Sequence, residues 1–178
     1  SYLISPQDWT AILTPEGEHS IRKTPADALL IGLYVKENDK DALLAGGFDG
    51  AYTYFATEGF TYGSTPSNWK TIAEWARENG KLVIPSLGPG YDDTRIRPWN
   101  TKNQRDRKQG AYYDAMFQAA LEVQPQFVSI TSFNEWHEGT QIEPAVQKQI
   151  EDYTYRDYAP LEPDFYLKQT KAWIEKLF

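Results

Sequence analysis

Two glutamates three residues apart, Glu135 and Glu138, are the side chains of this sequence best suited to do chemistry. They follow an apolar and β-branched run at 127–133 that is typical of a buried strand. Trp136 and His137 lie between them. Catalytic groups often occupy loops that follow strands, and paired carboxylates carry out general acid/base chemistry on sugars. The pair therefore indicates that chemistry, although a polar loop with solvated carboxylates would have a similar composition.

The spacing of the two glutamates leaves the stereochemistry of such a reaction open. Retaining glycosidases hold their two carboxyl groups about 5–5.5 Å apart, and inverting ones about 6.5–9.5 Å. Residues three apart are neighbours on a helical turn but point to opposite sides of an extended segment. We predict that Glu135 and Glu138 are the catalytic residues, and their spacing alone does not decide between retention and inversion.

A second polar and aromatic stretch, residues 88–100, is predicted to follow another strand. It is longer than most connections between a strand and a helix, which indicates a functional loop. The two stretches together supply the predicted substrate-binding residues, which are Tyr91, Arg97, Trp99, Asn100, Asn134, Trp136 and His137.

Several of these residues have a purely structural alternative. Tyr91 could be a turn aromatic, and Trp136 could pack in the wall of the protein. The charged residues of the 88–100 stretch could form an internal ion-pair cluster, in which Asp92, Asp93, Arg95 and Arg97 would take part. Glu143 is predicted to support its loop and not to take part in chemistry.

Composition excludes several classes of site. The net charge of −7 provides no basic surplus for nucleic acid. The sequence has no cysteine and two histidines, and it lacks a His-Glu-x-x-His arrangement, so no metal site and no cofactor are predicted. No apolar run approaches the ~18 residues of a membrane-spanning helix. Six Trp, 12 Tyr and eight Phe exceed what a core alone suggests and suit stacking on sugar rings.

The chain alternates apolar runs with segments of helical periodicity, which predicts an α/β fold with a parallel sheet covered by helices. Each strand is predicted to be buried on both faces. The predicted strands are 28–35, 51–56, 82–86 and 127–133, and the predicted helices are 7–13, 38–45, 66–79, 105–123 and 163–178.

Long loops after the strands and short loops after the helices are typical of a (β/α)₈ TIM barrel. Such a barrel takes about 250 residues, and this chain has 178. Residues 1–178 are therefore predicted to be the C-terminal half of a single (β/α)₈ catalytic domain, with about four β/α units. The N-terminal half would lie on another chain or in an absent segment. A complete small doubly wound domain is the alternative.

Four segments carry a resemblance to a known family. GGFDGAYTYFAT, IPSLGPGYDDTRIRPWN, SITSFNEWHEGTQIE and the segment 12–22 occur in one order and together resemble glycoside hydrolase family 99, the endo-α-1,2-mannosidases. The resemblance covers nearly the whole chain, and it is more specific than a match to two glutamates.

The resemblance implies a retaining enzyme of the (β/α)₈ fold that hydrolyses internal α-1,2-mannosidic linkages in glucosylated or mannose-rich N-glycans. Glu135 matches the family glutamate that deprotonates the sugar's own 2-hydroxyl, which then attacks the anomeric carbon to form a 1,2-anhydro sugar. Glu138 matches the acid that later acts as base, and Tyr91 matches a tyrosine beside them.

The partner implied is a mannose-containing oligosaccharide, with no cofactor. The implied location is the Golgi lumen of the secretory pathway in a eukaryote, with the membrane anchor outside this chain, or the extracellular or periplasmic space in a bacterium. The departure from the family is that its members are about twice this long.

Two other functions remain compatible with the residues. One is a conventional retaining glycosidase in which Glu135 is the nucleophile. The other is a carbohydrate-binding protein or an inactive half-barrel remnant that keeps the aromatic residues.

Overall fold

The computed structural model describes residues 4–177. Short strands alternate with helices along the chain, as the α/β prediction requires. The helices are α1 Pro6–Leu13, α2 Asp39–Ala45, α3 Trp69–Glu78, α4 Ala111–Val123 and α5 Phe165–Leu177. The strands are β1 Ile31–Leu33, β2 Gly50–Tyr52, β3 Leu82–Ile84, β4 Ser86–Leu87, β5 Ser129–Ile130, β6 Lys148–Ile150 and β7 Tyr153–Tyr155.

The ends of the first helix follow directly from its sequence. Ser5 caps α1: its hydroxyl accepts a hydrogen bond from the Asp8 N–H at 3.1 Å, and the Asp8 carboxylate accepts one from the Ser5 N–H at 3.1 Å. This reciprocal capping box satisfies two N–H groups that the helix leaves without partners. Pro6 at the first helical position adds a backbone angle that already suits a helix.

The strands β1 to β5 are all parallel, and neighbours in sequence are neighbours in space. β1 pairs with β2 and β2 with β3, while β4 pairs with β5. Pro85 separates β3 from β4, since proline has no N–H to donate to a ladder. The Pro85 carbonyl still accepts from Ser129 at 3.0 Å. Residues 82–87 therefore join the two paired groups, and the carboxyl ends of all these strands lie at one edge.

The prediction that every strand is buried on both faces is wrong for the described residues. On one side, helices α3 and α4 pack on the strands around the buried side chains of Trp69, Ile72, Met116 and Phe117. The apolar side chains of the predicted strands that remain exposed are Leu29, Leu33, Tyr54, Phe127 and Phe133. A strand alternates its side chains between two faces, and here only one face has helical cover.

Two further features differ from the predictions. The fourth helix begins at Ala111 and not at 105, because Gln109 with φ 52° and Gly110 with φ 95° take left-handed conformations that interrupt the helical path. The segment 144–160, in which no helix or strand is predicted, contains the antiparallel hairpin of β6 and β7. Its periodicity is too short to be recognised, because each strand has three residues.

The fifth helix lies within the predicted range 163–178, and Phe178 itself is outside the described residues. Of the helices within 4–177, none combines the length and the apolar character needed to cross a membrane.

Candidate active site

A cavity of about 320 Å³ opens at the carboxyl ends of β2 and β4. The loop after β2, the loop after β4 and the loop after β5 all contribute to it, since parallel strands bring their ends to one edge. The cavity is lined by Tyr54, Phe55, Thr57, Phe60, Tyr91, Asp93, Arg97, Trp99, Asn100, Asn103 and Glu138. Five of the predicted site residues, Tyr91, Arg97, Trp99, Asn100 and Glu138, thus share one cavity.

Its floor is built around Asp93, whose side chain is fully buried. One carboxylate oxygen accepts from the Tyr91 hydroxyl at 3.0 Å and from Arg97 Nη1 at 2.8 Å, and Asn100 Nδ2 lies 2.9 Å from both oxygens. We call Tyr91, Asp93, Arg97 and Asn100 the Asp93 cluster. Burial acts to raise the pKa of Asp93, but the hydrogen bonds from Arg97, Asn100 and Tyr91 outweigh it and hold the pKa below its usual value.

Glu138 joins this cluster through Arg97. Its Oε1 accepts from Arg97 Nη1 at 3.1 Å, while its backbone carbonyl accepts from the Asp92 N–H at 2.9 Å. The next residue, Gly139, has φ +61°, and a Cβ there would lie 3.1 Å from Asp92 backbone atoms. A side chain at 139 would be strained and crowded, so glycine permits the turn that aims Glu138 into the cavity.

Glu135 lies apart from that cavity. It is exposed, and its Oε1 accepts from the His137 N–H at 3.0 Å, while the Glu135 N–H donates to Ser132 Oγ at 2.8 Å. The carboxylate is thus turned back onto its own loop, residues 131–143, which we call the glutamate loop. The structure brings Glu138 together with the predicted binding residues, but it does not bring Glu135 into the same cavity lining.

The residues between the glutamates have structural partners. Trp136 is half-buried, donates from Nε1 to the Glu143 carboxylate, and meets Tyr155 edge to face at 6.0 Å. Glu143 thus supports the loop as predicted. Asn134 is exposed, and its carbonyl accepts from the Trp136 N–H at 3.1 Å. The role of Asn134 in substrate binding therefore stays a prediction.

His137 is exposed on the other side of the loop. Its Nδ1 lies 3.2 Å from Arg95 Nη1, and its ring meets Tyr155 at 6.3 Å. Asp93 and Arg97 of the predicted ion-pair cluster do form an ion pair, at 2.8 Å. Arg95 instead contacts His137, and Asp92 accepts from Thr94 Oγ1 at 2.6 Å.

Arg107 anchors the end of the glutamate loop. Its Nη2 donates to the carbonyls of Gly139 at 3.0 Å and Gln141 at 2.8 Å. Its guanidinium lies 5.0 Å from the Tyr158 ring centre and 4.6 Å from that of Tyr166, so the cation contacts two aromatic rings. The backbone directly after Glu138 is thereby tied to the body of the protein.

Trp99 forms the outer rim of the cavity, with 78% of its surface exposed. It also borders a wider open cleft of about 630 Å³ that continues from the cavity along Phe60 and Asn103. The sequence did not single out Phe55, Thr57, Phe60 or Asn103 as site residues, and it left Tyr54 unassigned between core and rim. The signal that could have found most of them is the aromatic run directly after β2, at the same sheet edge as Tyr91.

Within residues 4–177, no group of three or more His, Cys, Asp or Glu side chains is arranged to hold a metal ion. The cavity's charged groups are instead one arginine and two carboxylates, from Arg97, Asp93 and Glu138. Asp93 is fully buried, so Glu138 is the accessible carboxyl group of this aromatic and amide-lined cavity, and such a group suits proton transfer to a polar ligand.

Comparison with known proteins identifies the family of this chain. The sequence model described as glycosyl hydrolase family 99 matches residues 1–178. The chain belongs to glycosyl hydrolase family 99. The resemblance noted in the sequence is thereby confirmed.

Relatives in animals and in a bacterium are similar over almost all of this chain. A human glycoprotein endo-α-1,2-mannosidase-like protein is 54% identical over 98% of the chain, and a rat glycoprotein endo-α-1,2-mannosidase is 53% identical over 99%. The solved structure of a family-99 endo-α-mannosidase from Bacteroides thetaiotaomicron is 52% identical over 99% of the chain, with a TM-score of 0.95. A glycoside hydrolase-like protein with 20% identity and a TM-score of 0.61 over 83% of the chain shows a similarity of fold alone.

The chain spans only part of these relatives. It covers 38% of the human and of the rat protein and 52% of the Bacteroides chain.

Proposed function

We propose that the protein containing this chain is a retaining endo-acting α-mannosidase. Its substrates would be high-mannose N-glycans, including glucosylated ones, cut at internal α-1,2-mannosidic linkages. The observation that carries the proposal is the position of Glu138, a carboxyl group in a cavity shared with Tyr91, Arg97, Trp99 and Asn100. The names of the relatives, endo-α-1,2-mannosidase and endo-α-mannosidase, support the substrate class.

In this proposal Glu138 is the acid that protonates the departing glycosidic oxygen and then the base that activates water. Glu135 accepts the proton of the sugar's 2-hydroxyl, and that oxygen attacks the anomeric carbon to form a 1,2-anhydro sugar. The scheme is stereochemically sound, because the axial 2-hydroxyl of mannose can lie opposite an axial leaving group. It needs a sugar hydroxyl within hydrogen-bond reach of Glu135.

The remaining predicted residues would bind sugar. Trp99 and Phe60 present exposed aromatic faces, and Tyr91 and Asn100 present polar groups at the cavity wall. Aromatic faces with a few directed polar groups are the usual composition of a ligand pocket. Asn134, Trp136 and His137 would act from the glutamate loop.

We also propose that this chain supplies about four units of a (β/α)₈ barrel. The sequential parallel order of β1 to β5 supports this, and so does the exposed side chain of Leu33 in β1. The rest of the barrel would come from another chain or a further segment. Processing of N-glycans would place a eukaryotic enzyme in the Golgi lumen and a bacterial one outside the cytoplasm.

The decisive test replaces Glu138 in the intact protein. Glu138→Gln keeps the shape but cannot transfer the proton, so turnover of an α-1,2-linked mannoside should fall about 10²–10⁴-fold, while glycan binding survives. A substrate with a good leaving group needs no acid, so its first step should be partly restored. Glu122→Gln, an exposed change on α4, is the matched control. Unchanged turnover in Glu138→Gln would remove this residue from the mechanism.

A second experiment separates the anhydro-sugar route from a conventional nucleophile. A fluorinated substrate that traps glycosyl-enzyme intermediates should give no covalent adduct on Glu135. An adduct on Glu135, found by peptide mass spectrometry, would establish the conventional retaining mechanism instead.

A sugar-binding protein without hydrolysis is the second candidate function. The observation that favours it is the position of Glu135, whose carboxylate bonds to its own loop and not at the cavity. Measurable affinity for mannose oligosaccharides with no hydrolysis in the intact protein would establish this candidate.

A further inference from the structure

Asp93 has no catalytic role in the proposed mechanism, yet it is the most completely enclosed charged side chain at the site. It is 0% exposed and receives hydrogen bonds from Tyr91, Arg97 and Asn100 at 2.8–3.0 Å. All these donors come from the same loop after β4. A buried carboxylate with that many donors is held ionised, because each donor stabilises the charged form.

Arg97 connects this buried anion to Glu138 through a single atom. Nη1 lies 2.8 Å from Asp93 Oδ2 and 3.1 Å from Glu138 Oε1. The Arg97 side chain is 42% exposed, whereas that of Glu138 is 28% exposed. The Arg97 guanidinium therefore contacts the buried Asp93 carboxylate on one side and the Glu138 carboxylate in the cavity on the other.

We propose that Asp93 is a positioning residue, which binds Arg97 and offsets its charge so that Glu138 can alternate between protonated and ionised forms. This inference rests on the proposed function, since it takes Glu138 to be both acid and base. An isolated guanidinium at this distance would keep a carboxyl group ionised and so remove its acid function. With Asp93 bound to the same Nη1, that effect is reduced, while the hydrogen bond remains to orient Glu138.

Other charged groups near Glu138 contact it less directly. On its own loop Glu135 and His137 bond or stack elsewhere, and Arg107 binds the carbonyls of Gly139 and Gln141. From the loop after β4, Asp92 contacts Glu138 through its backbone N–H, and the Tyr91 hydroxyl points to Asp93. The hydrogen bond that the Glu138 carboxylate accepts comes from Arg97.

The test is a pH titration of Glu138 in the intact protein, by the carbon-13 signal of its carboxyl group and by the pH profile of kcat/KM. In Asp93→Asn, Arg97 loses its compensating anion, so the titration of Glu138 and the alkaline limb of the profile should move to lower pH by about one unit. Arg97→Gln should move both to higher pH. When Asp93→Asn is added to Arg97→Gln, it should shift the Glu138 titration by less than it does in the native protein, because its main effect passes through Arg97.

Asp92→Asn is the matched control, since it makes the same chemical change one residue away on a carboxylate that bonds to Thr94. A structural role for Asp93 alone would lower stability or turnover in Asp93→Asn and leave the Glu138 titration in place, and that result overturns the proposal. If Asp93→Asn does not fold, the Arg97→Gln variant provides the test. An unshifted titration of Glu138 in Arg97→Gln would also overturn the proposal.

The titration needs no turnover, so the two proposals can fail separately. A protein that cleaves no α-mannoside but shows these shifts would contradict the proposed function and leave the coupling of Asp93, Arg97 and Glu138 intact.

Discussion

The Tyr91 hydroxyl contributes to the site as a neutral hydrogen-bond donor and not as a base. It donates to Asp93 at 3.0 Å, and burial with that hydrogen bond raises the pKa of Tyr91 well above its ordinary value. The phenol therefore stays neutral across the physiological range. A neutral donor beside a buried carboxylate stabilises the anion, which in turn holds Arg97.

Removal of that hydroxyl should weaken the Asp93 cluster. In Tyr91→Phe, Asp93 keeps its bonds to Arg97 and Asn100 but loses one donor to a buried charge, so the free energy of unfolding should fall by about 1–3 kcal/mol. Urea unfolding at neutral pH measures this loss. Tyr52→Phe is the control, because its half-buried hydroxyl makes no hydrogen bond within the described residues. Equal losses in the two variants would contradict the role given to Tyr91.

The hairpin β6–β7 is the element that supports the glutamate loop from outside. The Arg95 guanidinium lies 4.4 Å from the Tyr153 ring centre and 4.7 Å from that of Tyr155. Arginine has only donors, so His137 accepts the Arg95 hydrogen bond on an unprotonated Nδ1. Tyr155 also contacts Trp136, and the hairpin is therefore joined to both residues between the glutamates.

Loss of Arg95 should loosen the hairpin and the glutamate loop together. Each cation–π contact contributes about 0.5–2 kcal/mol, so Arg95→Ala should make hydrogen exchange faster in both segments, by about tenfold for each 1.4 kcal/mol lost. Exchange of the amides at 148–155 and 134–139, followed by mass spectrometry, measures this. Lys148→Ala is the control, because this exposed side chain of the hairpin makes no hydrogen bond or ion pair within the described residues. Faster exchange in the hairpin alone would show that it does not support the loop.

Across the whole molecule, many of the aromatic residues belong to the core and not to the site. Tyr34, Tyr112, Tyr113, Tyr158 and Tyr166 are buried, and Phe117 stacks on Trp173 with 5.5 Å between ring centres. Burial raises the pKa of Tyr34, Tyr112 and Tyr158 to about 12. The aromatic excess that suggested sugar stacking thus has two sources, which are the packed core and the aromatic residues of the cavity.

These tyrosines should make the fold sensitive to alkali. Their pKa is near 10 in the unfolded chain and about 12 in the folded one, so between these values the folded state holds more protons. The stabilisation is complete below pH ~10 and declines as the pH rises towards 12, by up to about 1.4 kcal/mol per tyrosine and pH unit. Urea unfolding of the intact protein across this range, with tyrosinate absorbance, measures it. A flat stability above pH ~10 would contradict the burial of these hydroxyls.

The exposed strand face is the other property of the whole molecule. Leu33 in β1 is 37% exposed, and Leu29 and Phe127, which lie two residues before β1 and β5, are 67% and 51% exposed. The proposal of a shared barrel gives this face a partner, namely the remaining strands. Denaturing and native mass measurements on the purified protein test this: a second polypeptide bound one to one, or a single longer chain, supports the barrel, and a stable monomer of 20.4 kDa contradicts it.

Local sequence patterns were sufficient to predict the order of the parallel strands and the helices and the edge where the site lies. The apolar runs, the serine cap and proline of α1, and Gly80, with φ +62° after α3, act over a few residues, and parallel strands then bring their ends together without further information. The motifs themselves were sufficient to recognise family 99. Glu138, Tyr91, Arg97, Trp99 and Asn100 could therefore be assigned to one site before their geometry was known.

Tertiary contacts decided how those side chains are turned and which of them meet. Glu135 and Glu138 are separated by one turn of backbone, but Asp92 binds the Glu138 carbonyl and Arg97 its carboxylate, while Glu135 bonds to its own loop. The link from Arg97 to Glu138 and the support from β6–β7 depend on contacts between distant segments, such as Arg97 with Glu138 and Arg95 with Tyr155. Side-chain direction in a loop has no periodicity, so it is set by the partners that folding brings near.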